Sequence, residues 1–236
     1  MGKKSFLLLA LAALIGLMLL AIGFGSVDIS FATIITAMKN LIRNGVDGID
    51  LTDTIHFIIF EVRLPRIILA VLTGGLLSMA GASYQAIFQN PMADPFVMGV
   101  SSGAAFGATM AIVFLPATSF LGHTLVSLSA FICAILISLI VYTVSRTKRG
   151  VDNYSVLLTG IVISAILSSA ISLIMMVHRD EAMAIITWTM GSFNAKSWIH
   201  VGTIFIPTLI AFIVTIYHGK DLNLLVMGEE EAISMG

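Results

Sequence analysis

Six apolar runs dominate the chain, near residues 5–25, 64–88, 97–115, 121–145, 154–177 and 198–217. A helix that crosses a bilayer needs about 20 mostly apolar residues, and each run approaches or exceeds that length. Away from their ends, none of the six carries Asp, Glu, Lys or Arg. The pattern changes between the first two runs. There Ile34, Ile35, Met38 and Leu41 recur at helical spacing behind Asp28 and Ser30, which predicts a short capped amphipathic helix ended by Gly45 and Gly48. Run 64–88 opens on Pro65, a residue that a first helical turn tolerates. It stops before Asn90-Pro91 and Asp94-Pro95, because the residue preceding a proline disfavours helix. Asp94 is then expected to cap the third helix, with Pro95 at its first position. The fold class this predicts is all-α, a polytopic transmembrane helical bundle.

Composition agrees with the pattern. Of 236 residues, 58% are hydrophobic and 11% are charged, whereas soluble domains carry roughly 25% charge. A net charge of −1 leaves no basic footprint for nucleic acid. Cys133, the single cysteine, excludes an intramolecular disulfide. The first run follows Lys3-Lys4, outlasts a signal-peptide core and lacks a clear small-x-small cleavage site, so it reads as a retained anchor. With the N-terminus inside, lysines and arginines divide six to six between the two sides. The dense cluster Arg146-Thr-Lys-Arg149, abutting the fourth run, favours a cytoplasmic N-terminus.

Charge-free spans argue against a proton or ion relay, which must hold charge at depth. No GxxxxGK[ST] loop is present to hold ATP. His56, His123, His178, His200 and His218 show no close metal-ligand spacing, and Gly81-Ala-Ser83-Tyr84 lacks the glycine of a nucleophile elbow. The expectation is a chain with no catalytic residue, metal or cofactor of its own; if it moves a solute uphill, the energy must come from a separate subunit.

Small and polar residues instead form stripes. Gly74, Ser78, Gly81 and Gln85 share one helix face; Gly99, Gly103 and Gly107 form a doubled GxxxG; Gly160, Ser164, Ser168 and Ser172 recur every fourth residue. Close helix packing explains such stripes, and so does a weakly polar translocation surface along Ser78, Gln85, Ser164 and Ser168. Arg63 and Arg66 sit three residues apart at the expected outer surface, near a helix N-terminus where the dipole does not favour them. Two readings stand: snorkelling to lipid phosphates, or an acidic partner docking from outside.

The ordered set Arg63-Leu-Pro-Arg66, Gly81, Gln85, Asn90-Pro-Met-Ala93, Pro95, Gly99-Val-Ser-Ser-Gly-Ala104, Leu158-Thr-Gly160, Trp188-Thr-Met-Gly191 and Leu222 through Gly236 resembles the FecCD family of ABC importer permeases. Met92 replaces the family's usual leucine there, a conservative change. The resemblance implies an ATP-driven importer of an iron chelate of siderophore type, or alternatively of haem or cobalamin. A non-transport membrane scaffold or sensor is the reading from another class. Implied partners are a second permease copy or a related permease, a cytoplasmic ABC ATPase carrying ATP and Mg, and an extracytoplasmic binding protein. The setting would be a bacterial or archaeal plasma membrane.

The family's roles map residue by residue. Arg63 and Arg66 would pair with acidic residues of the binding protein. Asn90, Pro91, Asp94 and Pro95 would shape a rigid inner turn, and the gate would fall around Asp152 and Asn153. The segment 228–236, with Gly228, Glu229, Glu230, Ala232 and Gly236, would couple to the ATPase. The whole of 1–236 is expected to be the N-terminal part of one permease domain, holding about six of the roughly ten spans of the family. A fragment of a longer permease is therefore the favoured expectation.

Overall fold

The computed structural model describes residues 2–45, 50, 52–115, 122–147 and 150–228. Among these, four helices are long and apolar enough to cross a membrane: Lys4–Gly23, Thr124–Val144, Asn153–Val177 and Trp198–Tyr217. The chain divides into two compact units, Met1–Ser78 with Phe193–Ile216, and Met79–Ser192 with Tyr217–Gly236.

In the first unit, α1 (Lys3–Gly23) is apolar on all sides and exposed along most of its length. Such a surface suits lipid rather than water. The amphipathic helix expected behind Ser30 is α2 (Phe31–Asn44), where the Ser30 hydroxyl accepts a bond from the Thr33 N–H at 3.2 Å. It ends at Gly45, whose φ of +65° suits glycine. Ile34 and Ala37 bury its apolar face in a core shared with Ile22, Ile29, Ile59 and Phe60.

Next comes one uninterrupted helical segment in three parts: α3 (Thr54–Phe57), a π-helical turn (Ile58–Arg63) and α4 (Leu64–Ile87). Here the structure corrects the sequence-based start. Asp53 caps the segment by accepting from the Ile55 N–H at 3.1 Å, so helix begins ten residues before Leu64 and Pro65 lies inside it. The π-turn has a physical cause. Pro65 offers no N–H and crowds the carbonyl four residues back, and widening the preceding turn relieves both. Consistently, the Leu64 N–H bonds five residues back to the Ile59 carbonyl. Most of α9 (Trp198–Tyr217) belongs to this unit as well.

The second unit is organised around α5 (Val100–Phe114), which packs against α6 (Gly122–Val144), α7 (Asn153–Val177) and α8 (Arg179–Met190). The third apolar run, expected as a helix from 97, starts later. Residues Pro95–Met98 form a 3-10 turn, capped by Asp94 through the Phe96 N–H at 2.8 Å, and Gly99 at φ +73° separates it from α5. Asp94 thus caps the 3-10 turn rather than α5 itself. A two-stranded hairpin, β1 (Arg146–Thr147) with β2 (Gly150–Val151), pairs Arg146 with Val151 and joins α6 to α7. Finally, α10 (Gly219–Met227) ends at Gly228.

Candidate functional site

Two structures carry the candidate chemistry, one in each unit: the π-turn with its arginines, and the proline turn after α4.

Pro65 is fully enclosed, and Ile59, Phe60 and Arg63 around the π-turn are buried. The widened turn creates a donor shortage. With Leu64 bonded to Ile59 and no N–H on Pro65, the Phe60 carbonyl lacks a helical partner. The indole Nε1 of Trp198 supplies one at 3.0 Å, anchoring the start of α9 to the turn. Leaving that buried carbonyl unpaired would cost about 1–3 kcal/mol.

Arg63 was expected on an open outer mouth. It is instead only 9% exposed. Its Nη1 donates to the carbonyls of Ile22 and Gly23, the latter at 3.0 Å, and its Nη2 donates to the Val27 carbonyl. Ile22 and Gly23 lie in the last turn of α1, where carbonyls have no helical partners and the dipole favours a cation. The guanidinium therefore caps α1 and holds the bend that follows it. Gly25 lies directly under the fork, since an added Cβ would fall 2.5 Å from Nη2 and 2.8 Å from Cζ. Arg66 behaves differently. It is half-buried, its buried Nε has no hydrogen-bond partner among the described residues, and it lines a cleft of about 290 Å³ with Arg63, Ala21, Phe24, Gly25 and Ser26.

The proline turn is tightly built. Asn90 bonds twice across it, its side chain accepting from the Met92 N–H at 2.9 Å and its carbonyl accepting from the Ala93 N–H at 3.0 Å. Gln89 takes a positive φ of 48° to enter the turn. Ala93 is buried, while Asn90, Pro91 and Asp94 are exposed and Met92 projects at 87% exposure. The neighbouring start of α7 is tied to this region. Asp152 caps α7 through the Ser155 N–H at 2.8 Å, and the Asn153 amide donates to the Ile87 carbonyl, the last of α4, at 3.3 Å.

The small-residue stripes separate by surroundings. In α5, a Cβ on Gly103 would lie 2.8 Å from Ile137 Cγ1, and one on Gly107 would lie 2.5 Å from the Ser129 carbonyl. Both glycines are spent on contact with α6, so packing explains this stripe. In α4, an added Cβ on Gly74 or Gly81 meets nothing within 4 Å among the described residues, and Ser78 and Gln85 are exposed. The Ser78 hydroxyl satisfies itself on the Gly74 carbonyl at 2.8 Å. The α7 stripe does both things: Gly160 and Ser164 lie against Gly99, while Ser168 and Ser172 are exposed. Of the coupling residues, Gly228 closes α10 with its N–H on the Leu225 carbonyl at 3.1 Å. Glu229, Glu230, Ala232 and Gly236 lie outside the described residues.

Trp198 and Gly25 had no signal in the sequence that marked them. Their partners lie 138 and 38 positions away in the chain, and neither residue belongs to a recognisable local motif.

The chain is similar to known proteins over most of its length. The haemin transport permease HmuU of Yersinia pestis is 33% identical over 233 residues, covering 94% of this chain and 64% of that protein. The cobalamin import permease BtuC of Halobacterium salinarum is 32% identical, covering 78% of this chain and 49% of its own. The chain spans about half the length of several curated relatives that it matches. A solved metal-chelate type ABC transporter in an inward-facing conformation superposes on the whole chain with a TM-score of 0.78 at 26% identity, and 67% of that chain is covered. The model of the FecCD transport family matches residues 12–236, and the chain belongs to that family.

Proposed function

We propose that this chain forms the N-terminal part of the transmembrane permease subunit of an ABC importer, within a single permease domain. A binding protein would deliver an iron chelate, and a separate cytoplasmic ATPase would drive its entry. The observation that carries this reading is the superposition of the entire chain on a metal-chelate ABC transporter, together with family membership over nearly its full length. Haem is the second cargo to consider, because the haemin permease aligns with 94% of the chain.

Within that reading, the region of Arg66 receives acidic residues of the binding protein from outside, with the N-terminus of the chain inside. The partly exposed Arg66 side chain at the wall of an open cleft supports this placement. The segment from Gly228 onward contacts the ATPase, since its acidic run Glu229-Glu230-Glu231 can meet a basic groove. The exposed hydroxyl and amide positions Ser78, Gln85 and Ser168, with Ser164 at the packed end of its stripe, suit a pathway for a large solute that must not bind tightly. Asp152 and Asn153, which fix the start of α7 to the end of α4, suit a gate that moves those two ends together.

Reconstitution tests the reading. The full-length permease, co-purified with its ATPase in proteoliposomes, should take up ferric siderophore only when ATP and binding protein are supplied together. Uptake of haemin in preference would move the cargo to the second reading. Uptake of neither, with ATP hydrolysis unresponsive to binding protein, would refute the importer assignment.

A further inference from the structure

We propose that the two arginines of the Arg63-Leu-Pro-Arg66 sequence divide their labour: Arg63 is an internal positioning residue that shapes the cleft, and Arg66 alone presents charge to the acidic partner. This deepens the docking reading above and rests on it.

Three observations carry the division. Arg63 is 9% exposed, and its two terminal nitrogens are engaged by three backbone carbonyls. A guanidinium has five N–H donors in one plane, so a fork turned onto the end of α1 leaves little to offer a partner's carboxylate. Gly25 closes over the same fork, and any side chain there would strike it. Arg66 is only half-buried at the wall of the cleft, and no backbone carbonyl among the described residues claims its guanidinium; its Nε, though buried, has no hydrogen-bond partner there. Phe24, Gly25 and Ser26, the residues between the Gly23 and Val27 carbonyls that Arg63 grips, form part of that same wall. Arg63 thus acts on docking indirectly, by setting the wall against which Arg66 meets its partner. The π-turn makes this possible, because Arg63 is its last residue and Arg66 falls in the regular helix beyond.

The test uses the full-length permease assembled with its ATPase, in a Cys133→Ala background. Arg63→Cys and Arg66→Cys are each exposed to a membrane-impermeant thiol reagent. Labelling at 66 is expected to be at least about tenfold faster, as the burial difference requires. Association with the purified binding protein is then measured against salt. Arg66→Gln should weaken association and flatten its salt dependence, as loss of a docking charge does. Arg63→Gln should weaken association while leaving the salt dependence intact. Gly25→Ala keeps both charges and should reproduce Arg63→Gln; combining the two should do no more than either alone. Gly25→Ala also reads the latch if the Arg63 variants fail to assemble. Equal labelling rates, or a flattened salt dependence in Arg63→Gln, would overturn the division and make Arg63 a docking charge. Unchanged association in Arg66→Gln would instead remove the docking reading, while slow labelling at 63 would still support the latch.

Discussion

At the scale of single residues, identical side chains do opposite work according to what faces them. Gly107 and Gly74 both belong to small-residue stripes that look alike as sequence. A Cβ on Gly107 would stand 2.5 Å from the Ser129 carbonyl and 2.7 Å from Cys133 Cβ, both fixed parts of α6. Gly107→Ala must therefore push α5 and α6 apart, and overpacking of this kind costs about 1–3 kcal/mol. Gly74 meets nothing within 4 Å among the described residues, so Gly74→Ala should be neutral or stabilise by up to about 1 kcal/mol through helix propensity. Thermal unfolding of the two variants in detergent checks the pair, and equal melting temperatures would contradict the assigned packing. The periodicity of both stripes was legible, because spacing alone places residues on a face. Which face met a neighbour was not, because that depends on a helix contributed from elsewhere in the chain. The arginines were legible in the same partial way: charge at a helix mouth stands out, but the carbonyls that claim Arg63 belong to a bend 36 to 41 residues earlier.

At the scale of elements, the π-turn is where local chemistry and tertiary contact meet. Pro65 marked a helix start in the sequence, since the first turn is where proline usually sits without loss. Asp53 and the apolar residues Ile58, Ile59, Phe60 and Val62 extend the helix upstream instead, and the proline is accommodated by widening one turn. The widened turn depends on Trp198 to satisfy the Phe60 carbonyl. Trp198→Phe should destabilise the permease by about 1–3 kcal/mol, the penalty for a buried unpaired carbonyl. Pro65→Ala restores an N–H five residues beyond Phe60, within reach of that carbonyl in a π-type bond. The double variant should therefore recover part of the loss, a non-additivity that a double-mutant cycle on melting temperature reads directly. Strict additivity would mean that Trp198 contributes packing alone. The proline turn obeyed its sequence more closely, because Asn90, Asp94 and the two prolines act through bonds only two or three residues long.

At the scale of the whole molecule, the question is how many helices cross the bilayer between its two basic clusters. Lys3-Lys4 opens α1, and Arg146-Thr-Lys-Arg149 follows α6. Positive clusters next to spans prefer the cytoplasm, so an even number of crossings should separate them. Of the helices between them, α1 and α6 have the apolar length to cross, and the second and third apolar runs of the sequence add α4 and α5 as candidates. Of these, α5 is the doubtful member on length alone: its 15 residues make about 22 Å, against a hydrocarbon thickness of about 30 Å. Two features resolve the shortfall. The 3-10 turn Pro95–Met98 leads into α5 and can add up to about 8 Å of helical path. In addition, α5 is packed against α6, α7 and α8, with Gly103, Ala105, Gly107, Ala108 and Ala111 buried, so lipid need not match its ends. A reporter active only outside the cytoplasm, fused at residue 2 or inserted at residue 148 of the full-length permease, should be silent at both positions. Activity at one position alone would make the number of crossings odd and exclude α5 as a span, whereas activity at both would keep the crossings and invert the orientation, carrying Arg66 to the ATPase side and ending its role as a receptor for a partner outside.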